Sequence, residues 1–260
     1  MFSLKNRIAL VTGAGRGIGR AIAEAFAQAG AGVAVTARTT REVDDVVAGI
    51  RKGGGMALAV SADLSQAATP YEVAKRVSSE LGPIDILVNN AGIGSSADPK
   101  PVVNFDDRFW DLTLTLNLTA PYKLCKAVIP SMMDRHWGRI INVASINGKM
   151  PSLHAAAYTA SKHGLLGVTK ALALEMAGLG VTVNAICPGP VHTLMNDKRL
   201  EYDAQRKGTT VAEIEKTITP IGGRLKPSDI APLAVYLASD EARTVTGQAW
   251  NIDGGICMAG

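Results

Sequence analysis

Ile8 to Thr12 reads IALVT, and Gly13-Ala14-Gly15-Arg16-Gly17-Ile18-Gly19 follows at once, leading into RAIAEAFAQAG. An unbroken apolar run of this kind suits a strand buried on both faces of a parallel sheet. The segment behind the glycines has helical periodicity and ends at Gly30 and Gly32. Strand, glycine turn and helix in that order turn backbone N–H groups and a helix amino end toward solvent, a setting for phosphate. Gly19 lets the helix press against the sheet. The spacing GxxxGxG is neither the GxGxxG of the general dinucleotide fingerprint nor the Gly-Lys-Ser/Thr of a nucleoside triphosphate loop. A dinucleotide pyrophosphate is the ligand this context predicts.

The alternation of strand and helix then runs the length of the chain. Strands are predicted at 33–37, 56–60, 84–88, 139–144, 181–187 and 248–252, and helices at 42–52, 71–81, 106–135, 158–177 and 228–237. Pro121 and Pro130 fall inside the 106–135 pattern, which should bend or break there. Ser228 is placed to cap the last helix, with Asp229 in its first turn. Residues 193–226 read as irregular with charged helical pieces such as VAEIEKTI, an insertion able to cover a cleft. The sum is α/β: a doubly wound parallel sheet of about seven strands with helices on both faces, Rossmann-like, and a single domain over residues 1–260.

Composition excludes several classes. The formal net charge is only +4, and Lys and Arg form no run beyond pairs such as Arg206-Lys207, so nucleic acid is not an expected partner. Cys125, Cys187 and Cys257 are far apart and in apolar settings, which reads as buried thiols without disulfide framework or metal spacing. Lys5 and Arg7 interrupt the first apolar run, so it reads as neither signal peptide nor membrane span, and the cytoplasm is the expected compartment.

The chemistry concentrates further on. Tyr158 and Lys162 are four residues apart in an Ala-rich helical segment, on one face. An ammonium one turn away favours a phenolate and is expected to lower the phenol's pKa from ~10. Ser145 closes the apolar run RIINVAS, where its hydroxyl can meet the same point in space. Hydroxyl, phenol and ammonium converging on one oxygen suit reduction of a carbonyl or oxidation of an alcohol. The bland alternative is a partly buried aromatic beside a surface cation. After the second strand, where an Asp or Glu would hold the ribose hydroxyls of NAD, stand Ala37 and Arg38. With Arg16 this suits a 2′-phosphate, and the alternative is two solvated charges. Thr36, Thr39 and Thr40 leave NAD use open. Asn117 lies among apolar neighbours in a helix, a position that demands a partner.

Taken together, Thr12-Gly13-x-x-x-Gly17-x-Gly19, Asp63, Asn89-Asn90-Ala91-Gly92, Asn117, Ser145, Tyr158-x-x-x-Lys162 and Pro188-Gly189 resemble the short-chain dehydrogenase/reductase family from end to end. The chain looks most like its 3-oxoacyl-carrier-protein reductases and their sugar, steroid and hydroxyacid relatives. The resemblance implies a catalytic set of Asn117, Ser145, Tyr158 and Lys162. Tyr158 would be the acid/base, Ser145 would orient the reacting oxygen, Lys162 would hold the nicotinamide ribose, and Asn117 would keep a water. It implies NADP as cofactor, with NAD open, bound by Gly13, Arg16, Gly17, Ile18, Gly19, Arg38, Asp63, Leu64, Asn90, Ala91, Gly92, Tyr158, Lys162, Pro188, Gly189, Val191 and Thr193. It implies hydride exchange with a small-molecule ketone or secondary alcohol, no membrane, and a homotetramer. A non-catalytic regulatory or scaffold protein of the same fold would need a gap in the catalytic set, and none is present. His154 and His192 are open between substrate contact and loop shaping.

Overall fold

Ala9 and Val11 of the first strand point into one apolar layer and Leu10 into another, as a strand covered by helices on both faces must. The structure, a computed structural model, describes residues 2–258. Its strands are β1 (Ile8–Thr12), β2 (Gly32–Ala37), β3 (Ala57–Ser61), β4 (Ile86–Asn89), β5 (Gly138–Val143), β6 (Val181–Pro188) and β7 (Ala249–Ile252). All pair in parallel, in the order β3-β2-β1-β4-β5-β6-β7. The helices are α1 (Gly17–Gln28), α2 (Thr40–Lys52), α3 (Thr69–Glu80), α4 (Asp107–Leu114), α5 (Ala120–Asp134), α6 (Ala156–Glu175), α7 (Leu194–Lys207), α8 (Val211–Thr217) and α9 (Pro227–Ala238).

On one face Ile22 and Phe26 of α1, Val43 and Val46 of α2, and Ile230 and Leu237 of α9 form the apolar layer. On the other, Val73 and Val77 of α3, Leu124, Val128 and Met132 of α5, and Ala173 of α6 do so. The strand order reverses at β1, with β2 and β3 to one side and β4 onward to the other. That reversal opens a crevice at the carboxyl edge between β1 and β4, where open α/β sheets bind ligands. Among the described residues no helix is long and apolar enough to cross a membrane.

Several expectations need correction. The 106–135 pattern is interrupted, but by a π-helical turn over Thr115–Thr119 in which the Ala120 N–H reaches back to the Thr115 carbonyl. Pro121 cannot donate to the carbonyl of Asn117 four residues back, so the chain widens there instead of breaking, and Pro130 stays inside α5. Ser228 is not a cap. Lys226 is, with Pro227 as the first helical residue and the Asp229 carboxylate accepting from the Lys226 N–H at 2.7 Å. Residues 193–226 are more ordered than expected, because both their helices are capped. Thr193 accepts from the Asn196 N–H and Gly208 closes α7 in the left-handed conformation, while Thr210 and Glu213 form a capping box on α8. Cys125 and Cys187 are buried, whereas Cys257 is only partly so.

Candidate active site

The crevice is built by strapping the turn after β4 to the glycine loop after β1. Thr12 Oγ1 donates to the Val88 carbonyl at 3.2 Å and accepts from the N–H groups of Asn90 and Ala91 at 2.9 and 3.0 Å. The Asn90 amide donates to the carbonyls of Thr12 and Gly13 at 2.9 and 3.1 Å. This leaves no room for a side chain at Gly13 or Gly19. A Cβ on Gly19 would lie 2.4 Å from Asn90 Nδ2 and 2.5 Å from the Gly13 oxygen, and one on Gly13 would lie 2.7 Å from Ala91 Cα. Gly13 also has φ +61°, which an L side chain resists. The result is a cradle of bare backbone at the amino end of α1, the surface a pyrophosphate needs.

Two connected clefts run from this cradle. The larger, ≈ 640 Å³, is lined by Gly13, Arg16, Gly17, Arg38, Asp63, Leu64 and Ala91. The smaller, ≈ 270 Å³, is lined by Ser145, Tyr158, Lys162, Pro188, Gly189 and Val191. Ile18, Asn90, Gly92 and Thr193 line both, so one elongated ligand can cross from one to the other. Gly19 and Asn117 line neither; Gly19 lies beneath the cradle and Asn117 behind Gly92.

At the large end, Asp63 accepts from the Ser65 N–H at 3.0 Å, a bond that holds its carboxyl below the usual range. Arg38 lines the cleft without an ion pair among the described residues. Arg16 differs, because Glu42 from the first turn of α2 holds it at 2.8 Å. Glu42 packs against Gly15 and brings a carboxylate into the cleft, a residue the sequence reading missed because it lies five positions past Ala37. Of the threonines, Thr36 is fully buried and cannot reach a ribose, and Thr40 bonds Ser61 at 3.0 Å.

At the small end, β5 delivers Ser145 and α6 delivers Tyr158 and Lys162 to one wall. Burial pushes the Tyr158 phenol above its ordinary pKa, and a hydrogen bond with Ser145 opposes that rise. The expectation that Lys162 lowers it is corrected. Lys162 Nζ donates to the Val143 carbonyl at 2.9 Å and lies 5.7 Å from the centre of the Tyr158 ring. Burial also lowers Lys162 itself to about 8. Asn117 finds the partners its position demands: its amide takes the Ile93 N–H and gives to the Ile93 carbonyl, both at 2.9 Å, and donates to Ser161 at 3.1 Å. A Cβ on Gly92 would stand 2.7 Å from Asn117 Oδ1 and 3.9 Å from Lys162 Nζ, so amide and ammonium converge behind that glycine.

His192 faces Glu215 at 3.4 Å on the large-cleft side, and His154 hydrogen-bonds the Tyr202 hydroxyl outside both clefts. The sequence reading also missed Ser95, Arg199 and Asp203, which line the small cleft. Arg199 and Asp203 stand four apart in a charged segment, a pattern that looks like any solvated helix face.

The model of the short chain dehydrogenase family matches residues 7–204. D-beta-hydroxybutyrate dehydrogenase of Cupriavidus necator is 40% identical over 261 residues, covering 97% of this chain and 98% of that protein. The 3-oxoacyl-[acyl-carrier-protein] reductase of Vibrio harveyi is 40% identical over 257 residues, covering 98% and 99%. A crystal structure of a candidate NAD(P)-dependent gluconate 5-dehydrogenase from Beutenbergia cavernae, with NADP bound, superposes with a TM-score of 0.88 at 42% identity, covering 97% of each chain. The chain belongs to the short-chain dehydrogenase/reductase family. It is an NAD(P)-dependent oxidoreductase of secondary alcohols and ketones.

Proposed function

We propose that Tyr158 is the acid/base of this oxidoreductase, with NADP(H) lying from the glycine cradle to the Tyr158 wall. The observation that carries this is the meeting of Ser145, Tyr158 and Lys162 on one wall of a cleft continuous with that cradle. The nicotinamide, when bound, supplies or takes up the hydride. The protein's part is orientation and the proton. A phenol held protonated by burial is in the form that gives a proton to a carbonyl oxygen, and Ser145 bonds and orients that same oxygen. Lys162 would hold the cofactor's ribose and return the proton to Tyr158, and Asn117 fixes the backbone at Ile93 beside Gly92, both of which line the clefts. Ketone, NADPH and one proton give secondary alcohol and NADP⁺.

Cofactor choice rests on Arg38, with Arg16 as second donor once it leaves Glu42. Residues 193–226 form the cover of the substrate cleft, chiefly through α7 and Ile218, and the unit is one domain over 1–260. A homotetramer in the cytoplasm is the assembly and setting this reading favours, supported by exposed apolar residues such as Leu112, Leu174 and Trp250.

Tyr158→Phe tests the reading. It should leave NADPH affinity within about threefold and lower turnover by at least the 10²–10⁴ that acid/base groups contribute. Ordinary turnover in that variant across a panel of ketones would show that the proton comes from elsewhere.

A further inference from the structure

Three relatives of near-equal identity carry names that point to three different substrates, so similarity does not choose among them. The far wall of the small cleft does. Lys162, Arg199 and Asp203 are its charged lining residues among the described residues. The Arg199 side chain, from α7, is only 14% exposed. Its Nε and Nη2 grip the two oxygens of Asp203 at 2.8 and 3.2 Å, and Nη2 also donates to the Leu153 carbonyl at 3.0 Å. The Tyr202 ring lies 5.4 Å from the guanidinium carbon. One edge of the fork is therefore locked. Among the described residues the partner of Nη1, which carries two N–H groups, is the Ser95 hydroxyl at the limiting distance of 3.5 Å.

Asp203 does not cancel this cation. It is shared with Arg206, which reaches it from outside the cleft at 3.3 Å, so the cluster of two guanidiniums and one carboxylate keeps a net positive charge. A held guanidinium with a free amino group beside a serine hydroxyl is built to take one more carboxylate oxygen. Arg199 and Tyr158 share this cleft with the apolar Ile93, Ile146, Met195, Leu200 and Ile218 and with the polar Ser96, Asn147, Ser152 and Asn196, and the whole cleft measures ≈ 270 Å³. That is small for a ligand pocket.

We propose that Arg199 anchors a substrate carboxylate through Nη1, and that the substrate is a short oxo or hydroxy acid taken as the free acid. A thioester on a carrier places a neutral group there and leaves the guanidinium unmatched. The inference rests on the oxidoreductase reading above and names its substrate class.

The test compares acetoacetate with its methyl ester and its N-acetylcysteamine thioester, then 4-oxo and 5-oxo acids with their methyl esters, under NADPH. The wild-type protein should favour at least one free acid over its ester by about tenfold to a hundredfold in kcat/KM, the margin of one charge-assisted hydrogen bond. Arg199→Met should collapse that acid-to-ester ratio toward one, whatever it does to either rate alone. A purely structural Arg199 lowers both rates alike and keeps the ratio, which overturns the assignment. Should Arg199→Met fail to fold, Arg199→Lys keeps the charge, loses the fork, and must still lower the ratio. Equal or better use of esters and thioesters by the wild-type protein overturns the proposal while the oxidoreductase reading stands. Turnover of none of them, with NADPH or NADH, overturns the proposal as well and leaves the oxidoreductase reading to the Tyr158→Phe test.

Discussion

Lys162 keeps an ammonium in a wall where it is 5% exposed, and the fold carries the cost of that. Its pKa falls from the ordinary 10.5 to about 8 because burial disfavours the charged form. A group whose folded pKa is depressed in this way binds its proton less well folded than unfolded. Below about pH 8 both states are protonated and the destabilisation is complete; between about 8 and 10.5 the native state sheds its proton first and the penalty is relieved. Lys162→Met should therefore raise the unfolding free energy at pH 7 by roughly 1–3 kcal/mol, using 1.36 kcal/mol per pKa unit and allowing for the lost bond to the Val143 carbonyl. The gain should shrink as pH approaches 9.5, while turnover is lost throughout. Thermal unfolding of both proteins across pH 6.5–9.5 checks this, and a variant less stable at pH 7 would mean that the ammonium is a net stabiliser. At this scale the meeting of Ser145, Tyr158 and Lys162 in one cleft was legible in the sequence, since Tyr158 and Lys162 lie one helical turn apart and Ser145 follows a strand beside them. Their electrostatics were not legible, because the sign of the Tyr158 shift depends on burial and on where Lys162 Nζ finds its acceptor.

The first turn of α2 faces the same cleft as the end of β2. Glu42 sits there, holds Arg16 and faces the same cleft as Arg38. A 2′-phosphate of about two negative charges must displace that carboxylate to reach Arg16, whereas Arg38 is available without exchange. Arg38→Ala should cost NADPH about tenfold to a hundredfold in affinity and leave NADH nearly unchanged, and Glu42→Gln should tighten NADPH by up to about tenfold. Titration with both reduced cofactors reads this directly. Equal or tighter NADH binding, unmoved by Arg38→Ala, would place that arginine in solvent. Strands and helices were legible to within a few residues because a sheet covered on both faces needs continuous apolar runs, and Ile8–Thr12 and Val181–Pro188 supply them. The cover at 193–226 was less so. Its helices are held by ionic contacts distant in sequence, above all Arg224, which reaches Asp197 on α7 and Glu215 on α8. Such contacts leave no periodic trace.

The exposed face of α6 carries Ala160, His163, Gly167, Lys170, Ala171 and the 80%-exposed Leu174, a row of small and apolar positions interrupted by two basic side chains. A lone chain gains nothing from exposed small residues such as Ala160, Gly167 and Ala171, whereas at those positions a twin helix can approach closely. Gly167 separates the two cases. A Cβ there meets nothing within 4 Å and its φ lies outside the left-handed range, so the chain by itself has room for a larger residue. Glycine inside a helix costs ~1 kcal/mol relative to a good helix former. In an isolated chain Gly167→Gln should therefore stabilise. In an assembly paired through α6, the same side chain fills the space the twin occupies, so subunits should separate even though each chain keeps its fold. Light scattering at micromolar concentration, with circular dichroism on the same samples, reads both quantities. The expected outcome is a wild-type mass of four chains and a Gly167→Gln mass of two or one with unchanged helicity. A monomeric wild-type protein removes the tetramer from this account, and a variant that keeps the wild-type mass moves the contact to another face of the molecule.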